Sequence, residues 1–234
     1  MPEPFVVVTS KAVPLLRSDI DTDTISPGTV RQNGTSSQAF SERPESADDL
    51  FANWRYDAQG TPRPDFVLND PGYQGAQILL TGDNFGCGSS RESAVWLLAA
   101  WGFRCVVAPS FAEIFMGNCY ANGVLPLPLP SSVITRLAAE ARPDDAASFT
   151  IDLEGCSLTA PSGERIDFTL SRFRRRNLLQ GLDPIQATMA ESEAIERFHA
   201  QACAERPWMY PVTGAELVRG AGRSGHHPGS AQNG

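Results

Sequence analysis

The chain has 234 residues, 41% of them apolar, enough for a sizeable core in one domain with appendages. With 27 acidic against 19 basic residues it carries a net charge of −8, which argues against broad binding to nucleic acid or an anionic membrane while leaving room for a local anion site. Five scattered cysteines (Cys87, Cys105, Cys119, Cys156, Cys203) form no CxxC pair, so a zinc site and a disulfide framework are both unexpected, and a reducing cytoplasm is the natural setting.

The opening MPEPFVVVTSKAVPLL has no basic n-region and too short an apolar run for a signal peptide. No stretch approaches the ~20 apolar residues of a membrane span. FVVV at 5–8 reads as a strand and AVPLL at 12–16 as an edge strand. SDIDTDTISPG at 18–28 is dense in turn formers. Residues 31–49 are polar and predict a mobile loop, and LFANWRY at 50–56 restores apolar character. AQILL at 76–80 reads as a short buried strand running into a glycine-rich turn, and ESAVWLLAAWGF at 92–103 as a helix ending near Gly102. CVVAP at 105–109 is again a buried strand. SFAEIFMGNCYANG at 110–123 reads as a helix with Ser110 and Glu113 as a capping box and Gly123 as its stop. VLPLPL at 124–129 is extended.

Strand, helix, strand, helix, strand at this spacing is the pattern of a parallel sheet. Beyond it, FTIDL at 149–153 and SLTA at 157–160 predict a hairpin around Glu154 and Gly155, with IDFTL at 166–170 as a third strand. SRFRRRNLLQG at 171–181 and ESEAIERFHAQA at 191–202 read as helices. The expectation is an α/β fold, mainly parallel in its core and β-rich in its second half, with C-terminal helices. It occupies residues 1–210 as one domain, and the Gly/Ser-rich tail 211–234, which holds His226 and His227, is expected to be disordered.

Two turns concentrate the chemistry. The stretch GDNFGCGSSRES at 82–93 supports two readings. Ser89 and Glu92 have capping-box spacing for the helix that follows. Equally, Gly86 and Gly88 let the backbone approach a ligand, while a helix start and the Arg91 fork suit a carboxylate. GxGxxG, Walker A and GxSxG all fail here. Cys87 as a nucleophile needs a base, and His199 is the only histidine outside the tail. In the other turn Asp19, Asp21 and Asp23 alternate. Thr24 and Val30 occupy the positions where a calcium loop needs Gly and Glu. An Asx-rich turn before Pro27, or a phosphatase with Asp21 as nucleophile, remain as alternatives.

Taken together, residues 18–28, 50–56, 64–92, 108–127 and 173–185 resemble the small subunits of 3-isopropylmalate dehydratases, separate-chain counterparts of the aconitase C-terminal swivel domain. The similarity runs in order over residues 5–210. The resemblance implies a swivelling β/β/α domain that closes over a large partner subunit carrying a [4Fe–4S] cluster, with no cofactor or metal bound by this chain. It implies a hydro-lyase that converts 2-isopropylmalate to 3-isopropylmalate in leucine biosynthesis by removing and re-adding water. The partners implied are that large subunit and a small dicarboxylate, with no nucleic acid and no membrane. At matching positions it assigns Ser89 as the base on the carbon-bound proton, Asp23 to the active site, and Arg91, with Ser90 and Gly88, to substrate binding. Two features depart from the family. Ser93 stands where His often follows SSRE, and the loop at 28–46 is longer and more polar than the usual aromatic-leucine-basic stretch. Arg31 in that loop is a candidate for a second carboxylate contact. These departures leave open a paralogue acting on a methylmalate or maleate derivative, or a non-catalytic accessory protein of the same fold.

Overall fold

A computed structural model describes residues 2–27, 47–144 and 147–210. The loop expected over 31–49 lies outside them except for its last three residues, as do Arg31 and the tail from 211 onward. The chain divides into two compact units, Met1–Ala187 and Thr188–Gly234.

The first unit is built on a seven-stranded sheet ordered β4-β3-β2-β1-β5-β6-β7. β1 (Val7–Leu15), β2 (Ile78–Thr81), β3 (Cys105–Ala108) and β4 (Leu125–Pro128) run parallel. β5 (Ser148–Asp152), β6 (Ser157–Thr159) and β7 (Arg165–Asp167) add an antiparallel half. The mixed α/β architecture and the hairpin expected around Gly155 are thus both present.

The expectation of an edge strand at 12–16 is corrected. The two segments read separately form one nine-residue strand in the middle of the sheet. β1 changes partners along its length, pairing with β5 over Val7–Lys11 and with β2 over Ala12–Leu15. Pro14 sits in the second half, beyond the reach of β5. That explains how a residue lacking an N–H fits a central strand, and why it reads as an edge.

β2 and β3 are buried at every position, as expected of parallel strands covered on both faces. Val13, Leu79 and Val106 enter one core cluster, Ala12, Ile78, Leu80, Cys105 and Val107 the other. The first cluster packs α3 (Ser93–Trp101) and α4 (Glu113–Ala121) together with the segment from Leu50 to Ala76. The second holds α5 (Ser131–Glu140) and α6 (Arg172–Gln180) against the antiparallel half. Sequence reasoning missed α5. Its signal was the helical spacing of Val133, Ile134, Leu137, Ala138 and Ala141 after Pro130. Ser110 does not cap α4. Ala112 occupies that place without a side-chain bond, and Ser110 Oγ instead donates to Asp83 Oδ1 at 2.5 Å. After α7 (Pro184–Met189), the second unit contains α8 (Ser192–Glu205), where His199 lies 3.8 Å from Cys203 Sγ and edge-on to Tyr210. Among the described residues, no helix is long and apolar enough to cross a membrane.

Cys105 and Cys119 are fully buried, and burial pushes both thiols far above their ordinary range. Neither is expected to react with a disulfide reagent at about pH 8 in the native protein, whereas both react after denaturation. Native-state labelling of either, located by peptide mapping, would contradict this packing.

Candidate active site

Adjacent parallel strands β1 and β2 end level with each other, Leu15 beside Thr81. The aspartate turn leaves one and the glycine turn the other. This is the carboxyl end of a parallel sheet, where open α/β folds place their ligand crevices. The two turns then run on together. Asp19 N–H donates to Asp83 O at 2.9 Å, Gly86 N–H to Ile20 O at 2.8 Å, and Thr22 N–H to Cys87 O at 2.9 Å. Asn84 Nδ2 adds a bond to Asp19 Oδ1 at 2.8 Å.

Gly86 and Gly88 both have positive φ, at 77° and 89°. A Cβ on Gly86 would lie 2.1 Å from the Phe115 ring, so this position needs glycine for space as well as conformation. Around Gly88 the nearest atom to such a Cβ is 3.4 Å away, so there the conformation is what demands glycine.

Within the aspartate turn, Asp21 caps the four-residue helix α1 (Thr22–Ile25), its Oδ1 accepting from Thr24 N–H at 2.6 Å. Asp21 thus serves the local turn as a helix cap, as the Asx-rich reading expects. The three aspartates go to three different partners, and among the described residues no group of three or more His, Cys, Asp or Glu is placed to hold a metal ion.

Three side-chain links then join the turns. Thr22 Oγ1 lies 2.8 Å from Ser89 Oγ and donates to Ser89 O at 3.1 Å. Arg91 Nη1 pairs with Asp23 Oδ1 at 2.6 Å. Ser26 Oγ donates to Ser93 Oγ at 3.2 Å. Gly88, Ser89, Ser90, Arg91 and Asp23 are all exposed at one mouth, while Thr22, Ser26 and Ser93 are buried beneath it. Ser89 and Arg91 on the glycine turn and Asp23 on the aspartate turn are therefore neighbours in space. Arg31 falls outside the described residues.

The capping-box reading of Ser89 and Glu92 is corrected. α3 begins only at Ser93, and Glu92 precedes it without a side-chain cap bond. The Glu92 carboxylate accepts from Asn122 Nδ2 at 2.8 Å instead. Gly88 turns the chain so that residues 89–91 are neither helix nor strand. A helix dipole fades within a turn of its end, so any anion at Ser89 must rely on nearer donors. Among the described residues, the N–H groups of Ser90 and Arg91 meet no acceptor, and both residues are exposed. Cys87 is a poor nucleophile. Partial burial, then the charges of Asp21 and Asp19, push its thiol up, so it stays protonated near neutrality.

The Arg91–Asp23 pair is about half exposed on both sides, and exposed pairs add little to folding. Arg91→Ala is expected to melt within about 3 °C of the parent in a thermal scan. A larger loss would mean that the pair supports the fold rather than the mouth.

The aconitase C-terminal domain family matches residues 3–132. The 3-isopropylmalate dehydratase small subunit of Rhodospirillum centenum is 45% identical over 210 residues, covering 88% of this chain and 98% of that protein. The Dinoroseobacter shibae protein of the same name is 44% identical, over 88% of this chain and its own full length. A crystal structure of 3-isopropylmalate dehydratase from Methanocaldococcus jannaschii superposes with a TM-score of 0.57 at 22% identity, over 82% of this chain and 99% of that one. That last likeness is one of fold.

Proposed function

Since the chain belongs to the aconitase C-terminal domain family, among its 3-isopropylmalate dehydratase small subunits, we propose that it is the small subunit of a cytoplasmic hydro-lyase that isomerises 2-isopropylmalate to 3-isopropylmalate in leucine biosynthesis. The observation that carries this reading is the juxtaposition of Ser89, Arg91 and Asp23 at one open mouth.

Each residue type suits its task. Arg91 presents a planar fork to a substrate carboxylate, held in place by Asp23. The N–H groups of Ser90 and Arg91, which meet no acceptor among the described residues, offer further donors beside Gly88. Ser89 takes the proton from the carbon next to a carboxylate. A serine hydroxyl is a weak base in water, so its oxygen must be stabilised as an anion in a site that excludes water. To Asp23 we also assign the movement of a proton at the departing hydroxyl. Arg31 remains our candidate for the second carboxylate.

The family's [4Fe–4S] cluster does not fit this chain's described residues. Cys105 and Cys119 are sealed in the core, and the cysteines are all separate free thiols. We assign the cluster to the large partner subunit, where its chemistry is Lewis acidity toward oxygen. Ser93, one of the two departures from the family, is buried beneath the mouth with its hydroxyl bonded to Ser26.

The test is reconstitution. Mixed anaerobically with the large subunit of its own organism, the chain is expected to interconvert the two isopropylmalates, whereas the chain alone does not. Turnover of a methylmalate or maleate derivative in place of isopropylmalate would overturn the substrate. Absence of any hydro-lyase activity in a stable complex would overturn the catalytic reading. Arg91→Lys, which keeps the charge but loses the fork, is expected to raise KM about tenfold in this assay.

A further inference from the structure

Thr22 is only 1% exposed, and a buried hydroxyl requires partners. Both partners it finds lie on one residue of the opposite turn, the hydroxyl and the carbonyl of Ser89, at 2.8 and 3.1 Å. Its backbone is fixed as well, by the bond from its N–H to Cys87 O at 2.9 Å. The next turn of the chain repeats the pattern at the same offset with Ser26 and Ser93. Of these links, only that of Thr22 reaches Ser89.

We infer that Thr22 is a positioning residue that prepares Ser89 to act as a base, an assignment resting on the reading of Ser89 given above. A threonine hydroxyl has one hydrogen and two acceptor positions. While Ser89 is protonated, Thr22 donates to the Ser89 carbonyl and accepts from Ser89 Oγ. Before substrate fills the mouth and excludes water, Ser89 loses its proton to solvent, and the Thr22 hydrogen turns to the Ser89 oxygen. A neutral hydrogen bond is exchanged for a charge-assisted one, which favours the ionised form. The Ser89 oxygen then takes the substrate's carbon-bound proton. The C–H bond breaks, an O–H bond forms, and the electron pair left on carbon forms the double bond as hydroxide departs from the neighbouring carbon.

The titratable and charged groups of the two turns have partners other than this pair. On the aspartate turn, Asp23 is paired with Arg91 and Asp21 caps α1. On the glycine turn, the Glu92 carboxylate accepts from Asn122, and the Cys87 thiol is pushed up. Asp19 is bonded to Asn84.

Thr22→Val keeps the shape and removes the hydroxyl. In the reconstituted complex it is expected to lower kcat about 100-fold with KM little changed, as for loss of one donor to a developing anion. The rising limb of its pH–rate profile moves to higher pH by about one unit or more. Thr22→Ser recovers kcat to within about threefold of the parent, and Thr22→Cys, a weak donor of similar size that keeps the assay available should the valine variant not fold, falls between. In a Ser89→Ala background, Thr22→Val adds no further loss. A parental kcat and pH profile in Thr22→Val, with Ser89→Ala inactive, overturns the role of Thr22 and leaves Ser89 as the base. An active Ser89→Ala overturns both. Loss of melting temperature in parallel with kcat, unrescued by serine, would make Thr22 structural only.

Discussion

Ser89→Ala is expected to reduce kcat of the reconstituted enzyme by about 10³-fold or more, with the complex intact and its melting temperature within about 2 °C of the parent. The size follows from what is removed. Proton abstraction beside a carboxylate is the difficult step, and a positioned base contributes about 10²–10⁴. On the proposed reading, loss of the oxygen also removes the anion that Thr22 stabilises. The fold survives because Ser89 is exposed, and Thr22 still has the Ser89 carbonyl as acceptor at 3.1 Å. Steady-state kinetics and a thermal scan check both halves. Activity within tenfold of the parent would remove Ser89 from the chemistry.

Gly86→Ala is expected to produce the largest loss of stability, about 3 kcal/mol or more. Two costs add. At φ 77° an alanine occupies a left-handed conformation costing about 1 kcal/mol. Its methyl would also lie 2.1 Å from Cγ of Phe115, a ring buried to 2% exposure and packed edge-on to Phe85 at 5.3 Å. Overpacking of this kind costs about 1–3 kcal/mol. The melting temperature should fall by about 10 °C. Activity should fall too, because Gly86 N–H bonds to Ile20 O and so ties the two turns together. Gly86→Ala combined with Phe115→Leu should cost less than the sum of the two, since the smaller side chain relieves the clash. A Gly86→Ala variant as stable as its parent would disprove the contact.

The strands were legible where burial leaves a plain mark. ILL within AQILL and CVVA within CVVAP are short apolar runs, and such runs are strands buried on both faces. The hairpin at Gly155 was legible through alternation and a turn dipeptide. β1 was not, because Pro14 suggests an edge, and only the change of partner at Lys11 explains how it can be central. Local pattern misplaced both caps. Ser89 and Ser110 have the right spacing, but each hydroxyl is taken by a residue distant in sequence, Thr22 and Asp83. Of the site, the Arg91 fork was legible from the glycine turn itself, whereas the roles of Ser89 and Asp23 entered through the family resemblance. Thr22 was missed altogether. A threonine among aspartates reads as turn composition, and its role exists only because two strands bring residues 22 and 89 together.

That same change of partner along β1 bears on how the chain is made. β1 leaves the ribosome before the other strands of its sheet, yet Val7 waits for Asp152 to gain its ladder partner, long after Ala12 has met Ile78. The parallel half and its two turns can therefore assemble while translation continues, with one flank of β1 bare. Pairings this far apart in sequence form slowly, and an open strand edge invites aggregation. Slow translation or a holding chaperone before β5 emerges should thus matter more to the yield of this protein than anything done to its C-terminal helices.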